Sequence, residues 1–215
     1  MVWKMDELSL FVPGFAARGS LYRPGLPNSW RALEPPPLGR THGRFQVYRD
    51  WLVGVLADGG RPVRLAGHSM GAALAITAAA DLPDLVEGLI LFSPAGLPLS
   101  KPMLDSLLLL TLQALQGLYP AAEVAAVVTA TIRHPWATYR LAREAHDLDL
   151  RQEMGRVSAA GIPTLVVGCA TDTLTTPAVC DAVARRLGGE RRDVEGGGHM
   201  WMLSNWPEFQ GILDR

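Results

Sequence analysis

The stretch RLAGHSMGAALA, residues 64–75, decides how the rest of the chain is read. An apolar run ends in Gly67-His68-Ser69-Met70-Gly71, and an alanine-rich run follows. A buried core does not need a hydroxyl there, and a surface turn does not need the flanking runs. Gly-x-Ser-x-Gly at a strand-to-helix junction has a physical reading. A turn this tight strains the serine backbone, and side chains at Gly67 and Gly71 would collide with neighbouring backbone. The turn lifts the Ser69 hydroxyl clear of the sheet and leaves the Met70 N–H at a helix start, where it can stabilise an oxyanion. Ser69 is the candidate nucleophile, and it needs a base and an orienting acid.

The base is sought among five histidines. His42 sits in a loop and reads as solvated, His134 precedes a proline and reads as a helix cap, and His146 lies in a charged stretch and reads as exposed. His68 adjoins the serine, and neighbours at such a turn do not readily face each other. His199 stands in Glu195-Gly-Gly-Gly-His-Met200, after the last strand candidate and before a helix. Glycines let that loop bring an imidazole back over the sheet edge. For the acid, 162–172 (IPTLVVGCATD) ends a strong strand candidate with Asp172 in the loop beyond it. Asp172 can accept from an imidazole Nδ1–H; the competing reading is a cap on the helix near Pro177. The loop after the preceding strand, Phe92-Ser-Pro-Ala95, has no carboxylate. The first strand candidate runs into Val12-Pro-Gly-Phe15, where Gly14 allows close backbone approach and Phe15 N–H is the second oxyanion donor; a plain Pro-Gly turn is the alternative.

Nearly continuous apolar runs mark strands buried on both faces: Leu8–Val12, 62–66, Val86–Phe92 and 162–167, with weaker runs at 30–33 and 191–194. Between them lie helical patterns. Residues 45–56 place Phe45, Tyr48, Leu52 and Leu56 on one stripe, 70–80 is alanine-rich, and 177–187 opens on proline. The alternation predicts a doubly wound α/β sheet. Between 96 and 148 the rhythm breaks into helix-like stretches, 103–118, 121–133 and 136–145, punctuated by Pro120 and Pro135. That segment reads as a helical cap inserted in a core formed by 1–95 and 149–215.

Composition narrows the function classes. With 215 residues, 48% hydrophobic and 19% charged, the chain can bury a substantial core. Its net charge of −1, without a run of one sign, argues against a nucleic-acid partner. Asp6 and Glu7 interrupt the N-terminal apolar stretch where a signal peptide needs none. The 103–118 run falls short of the roughly 18 apolar residues of a membrane span. The expectation is a cytoplasmic protein without stable membrane insertion. Cys169 and Cys180 read as buried small hydrophobes, and no metal, nucleotide or flavin motif is present, so no cofactor is expected.

From Leu8 onward the chain resembles the α/β-hydrolase superfamily. The likeness rests on the P-G-F loop at 13–15, the GHSMG turn, the PTLVVGCATD strand, the GGGHM loop, and 34–41 (EPPPLGRT), similar to the D-x-P-G-x-G-R-S turn of these enzymes. The resemblance implies a Ser69–His199–Asp172 triad, Phe15 and Met70 N–H groups as oxyanion hole, and a cap over the site. Pro13 stands where many members carry histidine. Only about seven residues precede Leu8, too few for the usual N-terminal hairpin, so a mostly parallel sheet of about six strands is expected. The weak 30–33 strand then lies at an exposed edge that a homodimer would cover. The implied chemistry is hydrolysis of a carboxylic ester or thioester of a small to medium apolar acyl substrate through an acyl-enzyme. The alternatives are an acyltransferase on the same site and a non-catalytic binding protein. Epoxide and haloalkane hydrolysis are disfavoured because those relatives place aspartate at the position of Ser69.

Overall fold

The computed structural model describes residues 8–99, 102–103, 105 and 121–214. Six strands, β1 (Leu8–Val12), β2 (Trp30–Ala32), β3 (Val63–His68), β4 (Val86–Phe92), β5 (Thr164–Cys169) and β6 (Glu190–Val194), form one sheet in the order β2-β1-β3-β4-β5-β6. Every pairing is parallel. The three-residue β2 occupies one edge, as the weak 30–33 run predicts.

The apolar runs are continuous because successive residues serve two cores. Leu10, Val12, Leu65, Leu89, Leu91 and Val166 enter the core on one face. Their neighbours Phe11, Ala66, Ile90, Phe92 and Val167 enter the other. On the first face lie α3 (Phe45–Gly59), α4 (Met70–Asp81), α7 (Arg151–Ala159) and α8 (Pro177–Leu187). The second face is covered by α1 (Gly19–Tyr22), α9 (Trp201–Ser204) and α10 (Trp206–Leu213), through a cluster of rings that includes Phe11, Tyr22, Phe92, Trp201 and Phe209. Cys169 and Cys180 are free thiols in opposite cores, which keeps them from pairing. Burial pushes the Cys180 thiol up to about 12, so it behaves as an inert small hydrophobe.

Between β4 and α7, the helices α5 (Ala121–Arg133) and α6 (Pro135–His146) fall on the two predicted helical stretches 121–133 and 136–145. The expected helix over 103–118 lies for the most part outside the described residues. A short α2 (Leu38–Thr41) follows the Pro35–Pro37 run and packs near α6. Glu144 of α6 accepts a hydrogen bond from Phe45 N at the start of α3, 2.6 Å away. His134 precedes α6 as expected, but its side chain makes no cap hydrogen bond. Its ring lies instead against Gly39, where a Cβ would come within 2.7 Å of Nε2.

Two features of the sheet gather the candidate site residues at one edge. The order in which strands are added to the sheet reverses between β1 and β3, which creates a crevice beyond their carboxyl ends. The register sets Val12 opposite Gly67, His68 opposite Phe92 and Cys169 opposite Val194. The loops after β1, β3, β5 and β6 therefore leave the sheet from the same side.

Candidate active site

Ser69 is the single residue between β3 and α4, with φ 52° and ψ −117°. That positive-φ backbone is costly for a residue with a side chain and persists where surrounding packing imposes it. The packing is visible at both glycines. A Cβ at Gly67 would lie 2.5 Å from Gly71 O, and one at Gly71 would lie 2.2 Å from Val12 O and 2.3 Å from Pro13 O. All three are backbone atoms that cannot swing aside. The turn therefore presses the first turn of α4 onto the end of β1. Ala16 and Ser93, in the loops after β1 and β4, also carry side chains at positive φ. Met70 opens α4, so its N–H has no intrahelical acceptor by position.

Ser69, Met70 and Phe15 line one cavity together with Leu174, Thr175 and His146. Its other walls are apolar: Ala95, Leu99, Met103, Ala142 and Ala145. Helix α6 thus forms part of the enclosure around Ser69. His146 reads as exposed in the sequence, yet its side chain is 17% exposed and faces this cavity, because α6 turns its Ala142, Ala145 and His146 stripe inward. Its Nδ1 lies 2.7 Å from Asp147 Oδ1.

His199 and Asp172 sit just behind the cavity, 2% and 3% exposed. His199 Nδ1 is 2.9 Å from Asp172 Oδ2. Asp172 does not cap α8, whose N-cap is Thr176. Its Oδ1 instead accepts from Leu174 N at 2.8 Å and Thr175 N at 3.1 Å, and its Oδ2 from Thr175 Oγ1 at 2.7 Å. Burial alone would raise this carboxyl. The charge of His199 and the donors from His199, Thr175 and Leu174 outweigh it and hold Asp172 at about 2.

An ionised carboxylate only accepts, so Nδ1 of His199 carries the proton. Thr175 donates its own proton to Asp172, so the hydroxyl oxygen, 3.2 Å from Nδ1, can only accept from the same N–H. With hydrogen on Nδ1, the tautomer of an uncharged ring in this position has its lone pair on Nε2. Among the described residues the hydrogen bonds of the His199 ring run through Nδ1 alone, and none reaches Ser69. Contacts of this kind commonly tighten only when substrate is bound.

His68, read in the sequence as a neighbour that does not readily face Ser69, turns its ring hydrogen bonds to other partners. Its ring lies 4.8 Å from that of His199, centroid to centroid, with Nε2 3.1 Å from the His199 carbonyl oxygen. Sequence reasoning also misses Thr175. Its only signal is the Asp-x-x-Thr spacing of a local side-chain-to-backbone turn. Among the described residues no group of histidine, cysteine and carboxylate side chains could hold a metal ion, and no helix is long and apolar enough to cross a membrane.

Known proteins share this architecture. A bacterial membrane phospholipase A described as a virulence factor superposes with a TM-score of 0.75 at 19% identity, over 99% of this chain and 80% of that one. An N-acyl homoserine lactone degrading enzyme gives 0.72 at 20% identity, over 95% and 91%. A hydrolase from Oleispira antarctica gives 0.74 at 15% identity, over 99% and 91%. The thioesterase domain of the curacin biosynthetic pathway gives 0.68 at 17% identity, over 96% and 90%. No curated protein matches the chain. The sequence model of the alpha/beta hydrolase family matches residues 2–209, nearly the whole of the strand-and-helix framework, and the chain belongs to that family.

Proposed function

We propose that the protein is a serine hydrolase that cleaves a carboxylic ester or thioester with a small to medium apolar acyl group. The observation that carries this reading is the pairing of His199 Nδ1 with the ionised Asp172, directly behind a cavity that contains the strained Ser69. Ser69 Oγ attacks the acyl carbonyl while His199 Nε2 takes its proton, and Asp172 keeps the imidazole in the tautomer that leaves Nε2 basic. The carbonyl oxygen becomes an oxyanion and accepts hydrogen bonds from the N–H groups of Met70 and Phe15. Collapse expels the alcohol or thiol, which takes the proton from His199. Water, deprotonated by the same nitrogen, then releases the acid and restores Ser69.

The apolar cavity walls suit an acyl chain, and α5 and α6 are read as part of a cap formed by 96–148. The printed names of the similar structures, a phospholipase, a lactone-degrading enzyme and a thioesterase, fit an acyl carbonyl as the reacting group. The test is turnover of p-nitrophenyl esters and thioesters of increasing chain length. Wild-type protein is expected to hydrolyse the series and Ser69→Ala to lose turnover with its fold intact. Retention of the wild-type rate by Ser69→Ala contradicts the assignment.

A further inference from the structure

His68 is buried at the end of β3, between the turn glycine and Ser69. Tyr22 of α1 is equally buried and packs its ring on Phe11, 4.7 Å away. The Tyr22 hydroxyl lies 2.8 Å from His68 Nδ1, and Gly14 N–H points to the same hydroxyl at 3.5 Å. His68 Nε2 faces the backbone oxygen of His199. The fit around Gly14 is close: a Cβ there would lie 2.8 Å from His68 Nδ1.

The chemistry of each atom assigns the protons. A carbonyl oxygen only accepts, so His68 Nε2 carries hydrogen and donates to His199 O. Burial and the neighbouring His199 hold the His68 pKa at about 3, against weaker opposing effects from the His199 carbonyl and Asp172. The ring is therefore neutral, and Nδ1 presents a lone pair. Tyr22 donates its O–H to that lone pair, and its oxygen accepts from Gly14 N–H. The result is a one-directional chain, Gly14 N–H to Tyr22 O–H to His68 Nδ1, and His68 Nε2–H to His199 C=O. It runs from the loop that holds Phe15 to the backbone of His199 and passes beside Ser69.

We propose that His68 and Tyr22 are positioning residues, which set the spacing between the Phe15 loop and the His199 loop on either side of Ser69. The proposal rests on the reading of Ser69 as nucleophile and His199 as base. Neither residue lines the cavity, so both act through the backbone they hold. Pro13 makes this support specific to the loop, because it has no N–H of its own and Gly14 supplies the nearest donor.

The experiment is a double-mutant cycle of Tyr22→Phe and His68→Gln. It is read as the second-order rate of Ser69 phosphonylation by an alkyl fluorophosphonate and as kcat and KM for one p-nitrophenyl ester, well below the melting temperature. A misplacement of about 1 Å can cost on the order of 100-fold in rate. Each single variant is expected to lose about 10- to 100-fold in kcat and labelling rate, with KM little changed because the apolar walls are intact. The double variant is expected to be no slower than the slower single one, because one chain is cut in both. If Tyr22→Phe does not fold, His68→Gln carries the test alone. Wild-type rates in folded variants, or losses that multiply, overturn the proposal. So does failure of both variants to fold, which would assign the chain to stability alone. If the wild-type protein itself takes no label, the nucleophile assignment fails instead.

Discussion

The floor and the roof of the cavity are built on opposite principles. The floor consists of strand ends and the loops just beyond them, and Ser69, His68, Asp172, Thr175 and His199 are all buried there with hydrogen bonds or backbone contacts imposed on them. The roof is formed in part by α6, which lines the cavity and packs against α5; the two helices leave Val128, Ile132, Trp136 and Tyr139 exposed, Trp136 at 83%. The charges on α6 are paired within the helix or just past its end, Arg140 with Glu144 and Arg143 with Asp147, in exposed bridges of small energetic value. The floor is over-determined by packing; the outer roof presents apolar side chains to solvent. On the proposed function, chemistry belongs to the floor and substrate preference to the roof, the division expected when a rigid framework carries variable segments.

Four substitutions or conditions break or sharpen that contrast, in decreasing order of effect. Asp172→Asn removes the acceptor that sets the His199 tautomer. By the serine-protease template kcat is expected to fall on the order of 10⁴-fold with an unchanged circular-dichroism spectrum. A loss of only a few-fold would move the acid elsewhere. Gly71→Ala drives a methyl group into the backbone oxygens of Val12 and Pro13 and is expected to cost about 3 kcal/mol or prevent folding, measured by urea unfolding.

The third concerns acid. His68 is held neutral down to about 3, whereas the unfolded chain protonates it near its ordinary 6.5. Between those values the unfolded state binds more protons, so stability is full above 6.5 and declines as pH falls towards 3. The slope approaches about 1.4 kcal/mol per pH unit for this one group. Asp172, held at about 2 against an ordinary 3.8, adds a loss of the same sign from about 3.8 down to 2. His68→Gln is expected to flatten the upper part of the curve, from 6.5 to about 4, in unfolding titrations at stepped pH. Finally, Trp136→Ala on the outer roof is expected to change unfolding free energy by less than about 0.5 kcal/mol and to leave short-ester kcat unaltered. A large loss in either would mean that the exposed face of α6 supports the floor.

The same contrast explains how much is legible in the sequence. The strands are readable because both faces of the sheet are buried, which writes the runs at 8–12 and 86–92 as continuous apolar residues. The turn at Ser69 is readable because its backbone tolerates only glycine at 67 and 71. Helix α7 leaves little trace, since it buries only Met154 and Val157 and presents polar residues elsewhere. The inward aspect of His146 is hidden because a charged helix end reads as solvated until its packing is known. Tyr22 and His68 meet across 46 residues of chain, and no local spacing announces such a contact. Local backbone constraint is written in the sequence; contacts between distant loops are not.

The most direct test of the central claim is to treat the folded protein with a fluorophosphonate and locate the adduct by peptide mass spectrometry. A single adduct on Ser69, absent in Ser69→Ala and strongly slowed in Asp172→Asn, is the predicted result. An unlabelled Ser69 in protein that is demonstrably folded, or an adduct at another residue, contradicts it.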